Sequence, residues 1–353
     1  MIYVYAPGKT LTKTAACILL GTICSCAERQ PLEKLDDYLN FLSHSLKTAF
    51  ANPTPATVMS PPGIATVRVH LPVASFDHLN VSDLKGCALQ ITLNKFGSSL
   101  GKFASDSQRL LLSLEYLLHA PGCVLLMRQQ NKRELAEILE QAYLLVQQQL
   151  PARIFNATLG GIEFRQLWLK PHTLGYYPNL TNDLVLSSIA AIVRSARRWM
   201  TGDYGADNRE FEIQLSEVAQ GDGGALWLAL AEQASHLEAA SRILKARLRS
   251  HPKCPSDRNL AEAGTLYNAT QKYFIAELQP WSSDLTKRYH QLMPSIMELE
   301  ELLKAAQPTA YIHWKVARDH GLLQLAQAPV IYAELLQTLM APCPRPQEIS
   351  NNG

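Results

Sequence analysis

The N-terminal segment most constrains what this chain can fold into, because it has the pattern of an export signal. Lys9 and Lys13 precede an uncharged apolar run from Thr14 to Ile23, and Cys24-Ser25-Cys26 follows. This order matches the basic, apolar and cleavage regions of a bacterial signal, and Ile23 to Cys26 matches a lipobox. The run of about ten residues is shorter than the roughly 20 that span a membrane. We therefore expect residues 1–25 to be removed and Cys26 to be lipidated.

Other interpretations of this segment stay open. It also fits a signal that is cleaved without lipidation or left uncleaved, and a buried helix that contains Cys17, Cys24 and Cys26. A bacterial lipoprotein Cys carries at least two acyl chains, which is enough for stable anchoring. The residue after Cys26 is Ala27 and not Asp, which favours the outer membrane over the inner membrane. We expect the folded body on the periplasmic side.

The charge balance excludes one class of partner. The chain has 33 Lys and Arg against 31 Asp and Glu, and two of the lysines lie in the signal segment. A neutral body argues against nucleic-acid binding, because phosphate recognition needs clustered positive charge. The expected partners are the membrane, through the lipid, and another envelope protein.

The cysteine count is consistent with export. Four cysteines remain after Cys26, namely Cys87, Cys123, Cys254 and Cys343. An even number in an oxidising compartment predicts two disulfides. The helix pattern favours the pairs Cys87–Cys123 and Cys254–Cys343, because each pair lies at helix ends that a bundle can bring together. Four buried free thiols are the alternative, since free Cys is commonly buried.

Apolar spacing predicts an all-α fold, a multi-helix bundle of antiparallel helical hairpins. Leucines three and four residues apart predict an amphipathic helix within residues 26–50. Repeated prolines predict an extended arm over residues 51–80, with room for one short edge strand at Thr66–Leu71. Residues 81–342 read as the helical domain and residues 343–353 as a flexible tail.

The helices of that domain are bounded by caps, glycines and prolines. A first pair, 82–97 and 105–119, is expected to form a hairpin that ends at Pro121 and Gly122. The next helix is expected to end at Pro151. Further helices are predicted over residues 181–202, 224–249, 257–279, 282–303, 309–320 and 329–340.

Two stretches combine glycines, small hydroxyl residues and charges, Asn94–Arg109 and Phe155–Trp168. In them Glu163 is a candidate acid, and Arg109 or Arg165 a candidate carboxylate clamp. The favoured interpretation is structural, with glycines for tight packing and a buried Arg–Glu pair, because the sequence offers no second acid or nucleophile. No catalytic residue is therefore assigned.

Other motifs predict no bound group. Gly221-Asp222-Gly223-Gly224 is read as a turn with Asp222 as a helix cap. His313 and His320 are seven residues apart, which is poor spacing for a helical metal pair. The sequence therefore predicts no metal and no cofactor.

The order of these features resembles a known family. It comprises the lipobox, the proline-rich arm, Cys87, Ser98-Ser99-Leu100-Gly101-Lys102, Ser107-Gln108-Arg109-Leu110, Cys123 and Asn156-Ala157-Thr158-Leu159-Gly160-Gly161. It is similar to the proteobacterial predicted lipoproteins of domain of unknown function 3080. The resemblance implies an exported, mostly helical, lipid-anchored protein without an assigned activity, and it carries over no site residue.

Three hypotheses of function follow. The leading one is a non-enzymatic envelope component that binds or positions another protein or an envelope molecule. The second is a hydrolase of envelope glycan or lipid with Glu163 as general acid, and the third is a carrier of lipid or another hydrophobic molecule.

Overall fold

The structure, a computed structural model, describes residues 29–72, 81–98, 103–179, 181–250 and 267–340. Within these ranges all regular structure is helical, which confirms the all-α prediction. Cys26, Cys254, Cys343, the signal segment and the tail lie outside the described residues. The helices are α1 (Pro31–Ser45), α2 (Ile64–Val67), α3 (Leu89–Gly97), α4 (Asp106–Gln129), α5 (Arg133–Ala157), α6 (Ile162–Leu167), α7 (Leu184–Met200), α8 (Asn208–Ala219), α9 (Gly223–Ser250), α10 (Gln279–Leu302) and α11 (Thr309–Met340).

Three short segments complete the helical structure. Val81–Leu84 and Lys304–Ala306 are 3₁₀ turns, and Thr270–Leu278 is a π-helix that leads directly into α10. Such long π-helical stretches are rare. Here Tyr273 stacks on Tyr38, and Phe274 meets Tyr332 edge to face, so the widened turn seats two rings against α1 and α11.

An antiparallel hairpin of α4 and α5 forms one half of the body. Ser105 caps α4 by accepting a hydrogen bond from the backbone N–H of Gln108 at 3.2 Å. The Tyr116 hydroxyl donates to the carbonyl of Leu139 at 3.0 Å inside the hairpin. Of the described helices, α4 alone is long and apolar enough to cross a membrane, but 56% of its apolar window is buried. We assign it to the core.

Three predicted helix boundaries are wrong. Helix α4 continues through Pro121 and α5 through Pro151, where helix ends had been expected. Helix α11 is continuous over Thr309–Met340, where two helices over 309–320 and 329–340 had been expected. A proline inside a helix loses one hydrogen bond and costs about 3 kcal/mol. Packing of the following turn offsets that cost, since Cys123 and Met127 beyond Pro121 are both buried.

Cys87 and Cys123 form a disulfide, with their Cα atoms 5.6 Å apart. This is the pairing that the hairpin argument favoured, although the helix boundaries differ. Cys87 lies before α3, because the chain breaks at Gly86 with a φ of +89° instead of continuing as one helix from Ser82. Cys123 lies within α4 and not beyond its end.

The proline-rich segment has no strand in its described part, so the predicted strand at Thr66–Leu71 is wrong. Ile64–Val67 is a helical turn, and an extended stretch follows it. Asn156 on α5 bonds both backbone groups of Val69, accepting from its N–H at 2.9 Å and donating to its carbonyl at 2.8 Å. Gln149 donates to the carbonyl of Pro72 at 2.9 Å. Amide side chains thus take the place of a neighbouring strand.

The leucine stripe of α1 faces the core as predicted. Leu35, Leu39, Leu42 and Leu46 are buried, and α1 packs against α9. The buried hydroxyls of Tyr38 and Tyr332 lie 2.7 Å apart and join α1 to α11. Helix α11 also packs on α9, so α9 contacts both α1 and α11.

Candidate functional site

Glu163 lies in the first turn of the short helix α6, where a tight turn fixes it. The turn is Gly160-Gly161. A Cβ atom on Gly160 would lie 2.8 Å from the Phe155 ring, and one on Gly161 would lie 3.0 Å from the carbonyl oxygen of Thr158. Glycine is therefore required for the close approach between α5 and α6. The predicted role of these glycines in packing agrees with this geometry.

A second carboxylate, Glu212 on α8, influences the pKa of Glu163. Burial raises the pKa of Glu163, its own backbone N–H lowers it, and the charge of Glu212 raises it again. Ser107, at the start of α4, donates from its hydroxyl to Glu212 Oε1 at 2.8 Å. A second acid is thus present, which sequence analysis did not place. A carboxyl whose pKa is raised in this way is able to hold a proton above its ordinary range.

Arg109 and Arg165 take different neighbours. Arg109 donates from Nε to the carbonyl of Ala104 at 3.0 Å. Burial lowers the pKa of Arg153 on α5, and the charge of Arg109 lowers it further. Arg165 lines a cavity of about 20 Å³ below Pro61 and Pro62 of the arm. A cavity of that size holds about one water. Neither Glu163 nor Arg109 is among the residues that line this cavity.

A buried charge pair adjoins the same cavity. Arg318 on α11 donates from Nη1 and Nη2 to the two carboxylate oxygens of Glu300 on α10, each at 2.9 Å. The indole rings of Trp168 and Trp314 lie 4.9 and 5.0 Å from the guanidinium carbon. Tyr311 donates to Glu300 Oε1 at 2.7 Å. A buried Arg–Glu pair thus exists, but it joins Arg318 and Glu300 and not Glu163 with Arg109 or Arg165, as the sequence had suggested.

A second closed cluster forms around Asp222. Arg288 donates to both of its carboxylate oxygens, at 2.9 and 2.7 Å, and the Tyr177 hydroxyl donates to Oδ2 at 2.7 Å. Asp222 was predicted to cap α9, and its backbone carbonyl does accept from Leu226 at 2.9 Å. The side chain instead binds Arg288. Burial and the negative charge of Asp222 raise the pKa of Tyr177, so this hydroxyl stays protonated as a donor.

The comparisons with known proteins give the family. A sequence model described as protein of unknown function, DUF3080, matches residues 35–346. The chain belongs to this family. No curated protein and no solved structure matches it. The DUF3080 match includes every residue of the clusters above, so all of them belong to the family region.

Within the described residues of this DUF3080 chain, no three His, Cys, Asp or Glu side chains are placed to hold a metal ion. His313 and His320 belong to no such group. The polar residues that sequence analysis missed are Arg153, Glu212, Arg288, Glu300 and Arg318. These residues lie on helical stretches without a distinctive local motif. Asp222, the partner of Arg288, was noticed in the sequence because glycines surround it.

Proposed function

We propose that this protein is a non-enzymatic component of the bacterial envelope, anchored through lipid on Cys26 at the periplasmic face of the outer membrane, which binds another protein. The anchor is supported by the lipobox and its basic and apolar flanks. The binding role is supported by the surface of α11, described next.

A row of apolar side chains runs along the solvent face of α11. At 3.6 residues per turn, Ile312, Val316, Leu323 and Val330 fall within an arc of about 40°. They are 40%, 61%, 51% and 60% exposed. The buried residues of α11, such as Trp314 and Leu322, lie on the opposite side. An exposed apolar row of this length is typical of a binding surface.

The composition of α11 favours a protein partner over an anionic lipid surface. No Lys or Arg occurs from Asp319 to Met340, and Arg318 is fully buried. Helices that lie on anionic membranes carry Lys and Arg on their polar face. Asp319, His320 and Gln327 flank the apolar row, and Glu334 follows its C-terminal end, which gives the apolar centre and polar rim of a protein interface.

Site-specific photo-crosslinking in intact cells tests this surface. A photoreactive residue at position 316 or 323 is expected to give a discrete crosslinked product. The same residue at position 144 on α5 is the matched control, since Leu144 is 57% exposed. The double substitution Val316→Asp and Leu323→Asp should abolish the product formed from position 330. Equal products from both faces, or none from α11, would count against the proposal.

The intact mass of membrane-extracted protein, measured without reductant, tests the anchor separately. The expected mass is that of residues 26–353 plus the acyl groups, less two hydrogens for each disulfide. A mass of the full chain without acyl groups would overturn the proposed location and leave the α11 surface to be judged by its own experiment.

One observation favours a second candidate, a hydrolase of envelope glycan or lipid. Glu163 and Glu212 provide a pair of carboxyl groups, and hydrolysis of glycosides uses two such groups. Glu163 would be the general acid, because its pKa is raised. Deletion that alters envelope composition, with Glu163→Gln and Glu212→Gln each reproducing the change, would support this candidate. Full complementation by both variants would exclude it.

The cavity below Pro61 and Pro62 does not support the third hypothesis, a carrier of lipid or another hydrophobic molecule. That cavity measures about 20 Å³, far less than an acyl chain occupies.

A further inference from the structure

A second and larger cavity lies between helix α5 and the C-terminal end of helix α7. Its volume is about 240 Å³, and its lining residues fall within residues 147–151 of α5 and residues 199–204 at the end of α7 and in the loop that follows. This volume exceeds that of a single water many times over and approaches the range of small-molecule pockets, which begins at about 300 Å³. We call it the α5–α7 cavity.

Pro151 leaves a backbone acceptor at this cavity without its helical hydrogen bond. Proline has no N–H, so Pro151 cannot donate to the carbonyl oxygen of Gln147, four residues earlier in α5. A helical carbonyl points along the helix toward the residue four positions later, and both Gln147 and Pro151 line the cavity. A hydroxyl group of a ligand can donate to this oxygen, because backbone carbonyls require a hydrogen-bond partner.

Two side chains at the cavity provide further neutral polar groups. Gln148 is exposed, and its amide makes no hydrogen bond within the part of the chain that the structure describes. Its donor and its acceptor are both free for a ligand. Thr201 donates from Oγ1 to the carbonyl of Arg198 at 2.9 Å, so its oxygen can still accept a hydrogen bond.

Two aromatic rings give the cavity a rigid apolar wall. The indole N–H of Trp199 donates to the carbonyl of Gly205 at 3.1 Å, and the Tyr204 hydroxyl accepts from Nε2 of Gln147 at 3.1 Å. These bonds fix both rings before any ligand binds. The ring of Pro151 adds a further apolar surface. The C–H groups of a ligand can pack against this wall while its polar edge meets the amide and carbonyl groups.

The charge of the lining selects the class of ligand. None of the described residues that line the cavity is charged, and the adjoining Arg198 and Asp203 pair with each other at 3.1 Å. A charged ligand would leave water without a counter-charge, which is costly. An apolar ligand would leave the amide and carbonyl groups of the lining unpaired.

The dimensions of the cavity favour a compact ligand over a peptide. Residues 147–151 span about 6 Å along α5, at 1.5 Å per residue. An extended peptide covers this distance with only about two residues, since each adds about 3.3 Å. A sugar ring is compact and neutral, with hydroxyl groups at its edge and C–H groups on its faces.

We propose that the α5–α7 cavity binds a neutral saccharide. The sugar hydroxyls bond the Gln147 carbonyl and the Gln148 amide, and the C–H face packs against Pro151 and Tyr204. None of these residues lies on α11, so this site is separate from the proposed protein-binding surface and is judged by its own experiment.

Saturation-transfer NMR tests the site, with N,N′-diacetylchitobiose and maltose as neutral disaccharide probes. The full chain with Cys26→Ser, which cannot be lipidated, should transfer saturation to at least one of them. Gln148→Trp fills the cavity and should abolish the signal, whereas Gln148→Ala should weaken binding about tenfold. Gln141→Trp is the matched control, because Gln141 is also exposed and lies two turns earlier on α5. It should keep the signal.

The fully deacetylated chitobiose tests the requirement for a neutral ligand. Its amino groups are protonated at mildly acidic pH, and it should receive no saturation there. Equal signals from the charged and the acetylated disaccharide would overturn the assignment to a neutral saccharide. No signal from either neutral probe, or a signal that Gln148→Trp leaves unchanged, would overturn the site itself. Because Gln148 is exposed, both of its substitutions leave the folded core intact.

Discussion

Arg318 and Glu300 form a bidentate ion pair from which solvent is fully excluded, with both N–O distances at 2.9 Å. The pair joins α10 to α11. Two indole rings face the guanidinium. The Tyr311 hydroxyl donates to the Glu300 carboxylate, and the Gln307 amide donates to the backbone carbonyl of Glu300. Because the partners satisfy each other, this cluster is a structural element and not a site with free functional groups.

Glu300→Gln should lower the free energy of unfolding by about 3–5 kcal/mol, because it leaves a buried guanidinium without its main counter-charge. Urea unfolding at neutral pH measures the change. Glu298→Gln is the control, since Glu298 pairs with Arg197 on the exposed surface, where a pair contributes about 0–1 kcal/mol. Equal effects of the two substitutions would contradict the role assigned to the buried pair.

The buried pair Tyr38 and Tyr332 should make stability fall at alkaline pH. Burial raises the pKa of both hydroxyls. Unfolded tyrosines ionise near pH 10, whereas these two remain neutral in the folded protein. The unfolded state therefore loses protons first, and the free energy of unfolding decreases as the pH rises above about 10. Their stabilising contribution is complete below that pH.

The double substitution Tyr38→Phe and Tyr332→Phe should make this alkaline decrease shallower. Urea unfolding over a series of pH values from about 8 to 11 gives the slope. Tyr267→Phe is the control, because Tyr267 is exposed. A slope that the double variant leaves unchanged would contradict the prediction.

Glu163→Gln should stabilise the protein at neutral pH. The pKa of Glu163 is raised in the folded state, first by burial. Its contribution to the free energy of unfolding is therefore complete below the unfolded pKa of about 4.3 and is lost as the pH rises through the folded pKa. Gln does not ionise, so the variant does not lose this free energy. Unfolding midpoints of the two proteins should differ at pH 7 and converge near pH 4. Glu238→Gln, on the exposed side of α9, should show no such convergence.

Gly224 and Gly122 should respond in opposite directions to alanine. A Cβ atom at Gly224 would lie 2.0 Å from the carbonyl oxygen of Leu169, a backbone atom that is hard to displace, whereas a Cβ atom at Gly122 meets nothing within 4 Å. Gly224→Ala should therefore lower the Tm strongly. Gly122→Ala, on the exposed side of α4, should raise stability by about 0.5–1 kcal/mol. A thermal melt of each variant decides between these outcomes.

The sequence predicted helices well where apolar residues recur on one face, as in α1. It predicted them poorly where a helix end was inferred from a proline alone, or a strand from the alternation of a few residues. Pro121 lies within α4 because burial of the following turn outweighs a local penalty. The strand at Thr66–Leu71 was wrong because alternation fixes neither the backbone conformation nor the hydrogen-bond partner of a segment. Thr66 and Val67 end a helical turn, and the backbone of Val69 pairs with the side chain of Asn156.

The candidate site was predictable only in part. Glu163 was selected because glycines surround it in the sequence. Its second acid, Glu212, follows from the packing of α6 on α8, and Arg288 meets Asp222 from 66 residues away. Periodicity places each of these residues on a helix but does not show which helices become neighbours.

Asn156 holds the arm through both ends of one amide, and only an amide side chain offers a donor and an acceptor side by side. Deamidation would replace that amide with a carboxylate. The nitrogen that now donates to the carbonyl of Val69 would become an oxygen, and two acceptors would face each other. Chemical ageing of one side chain would therefore loosen the attachment of the arm to α5 at Val69, without any cleavage of the chain.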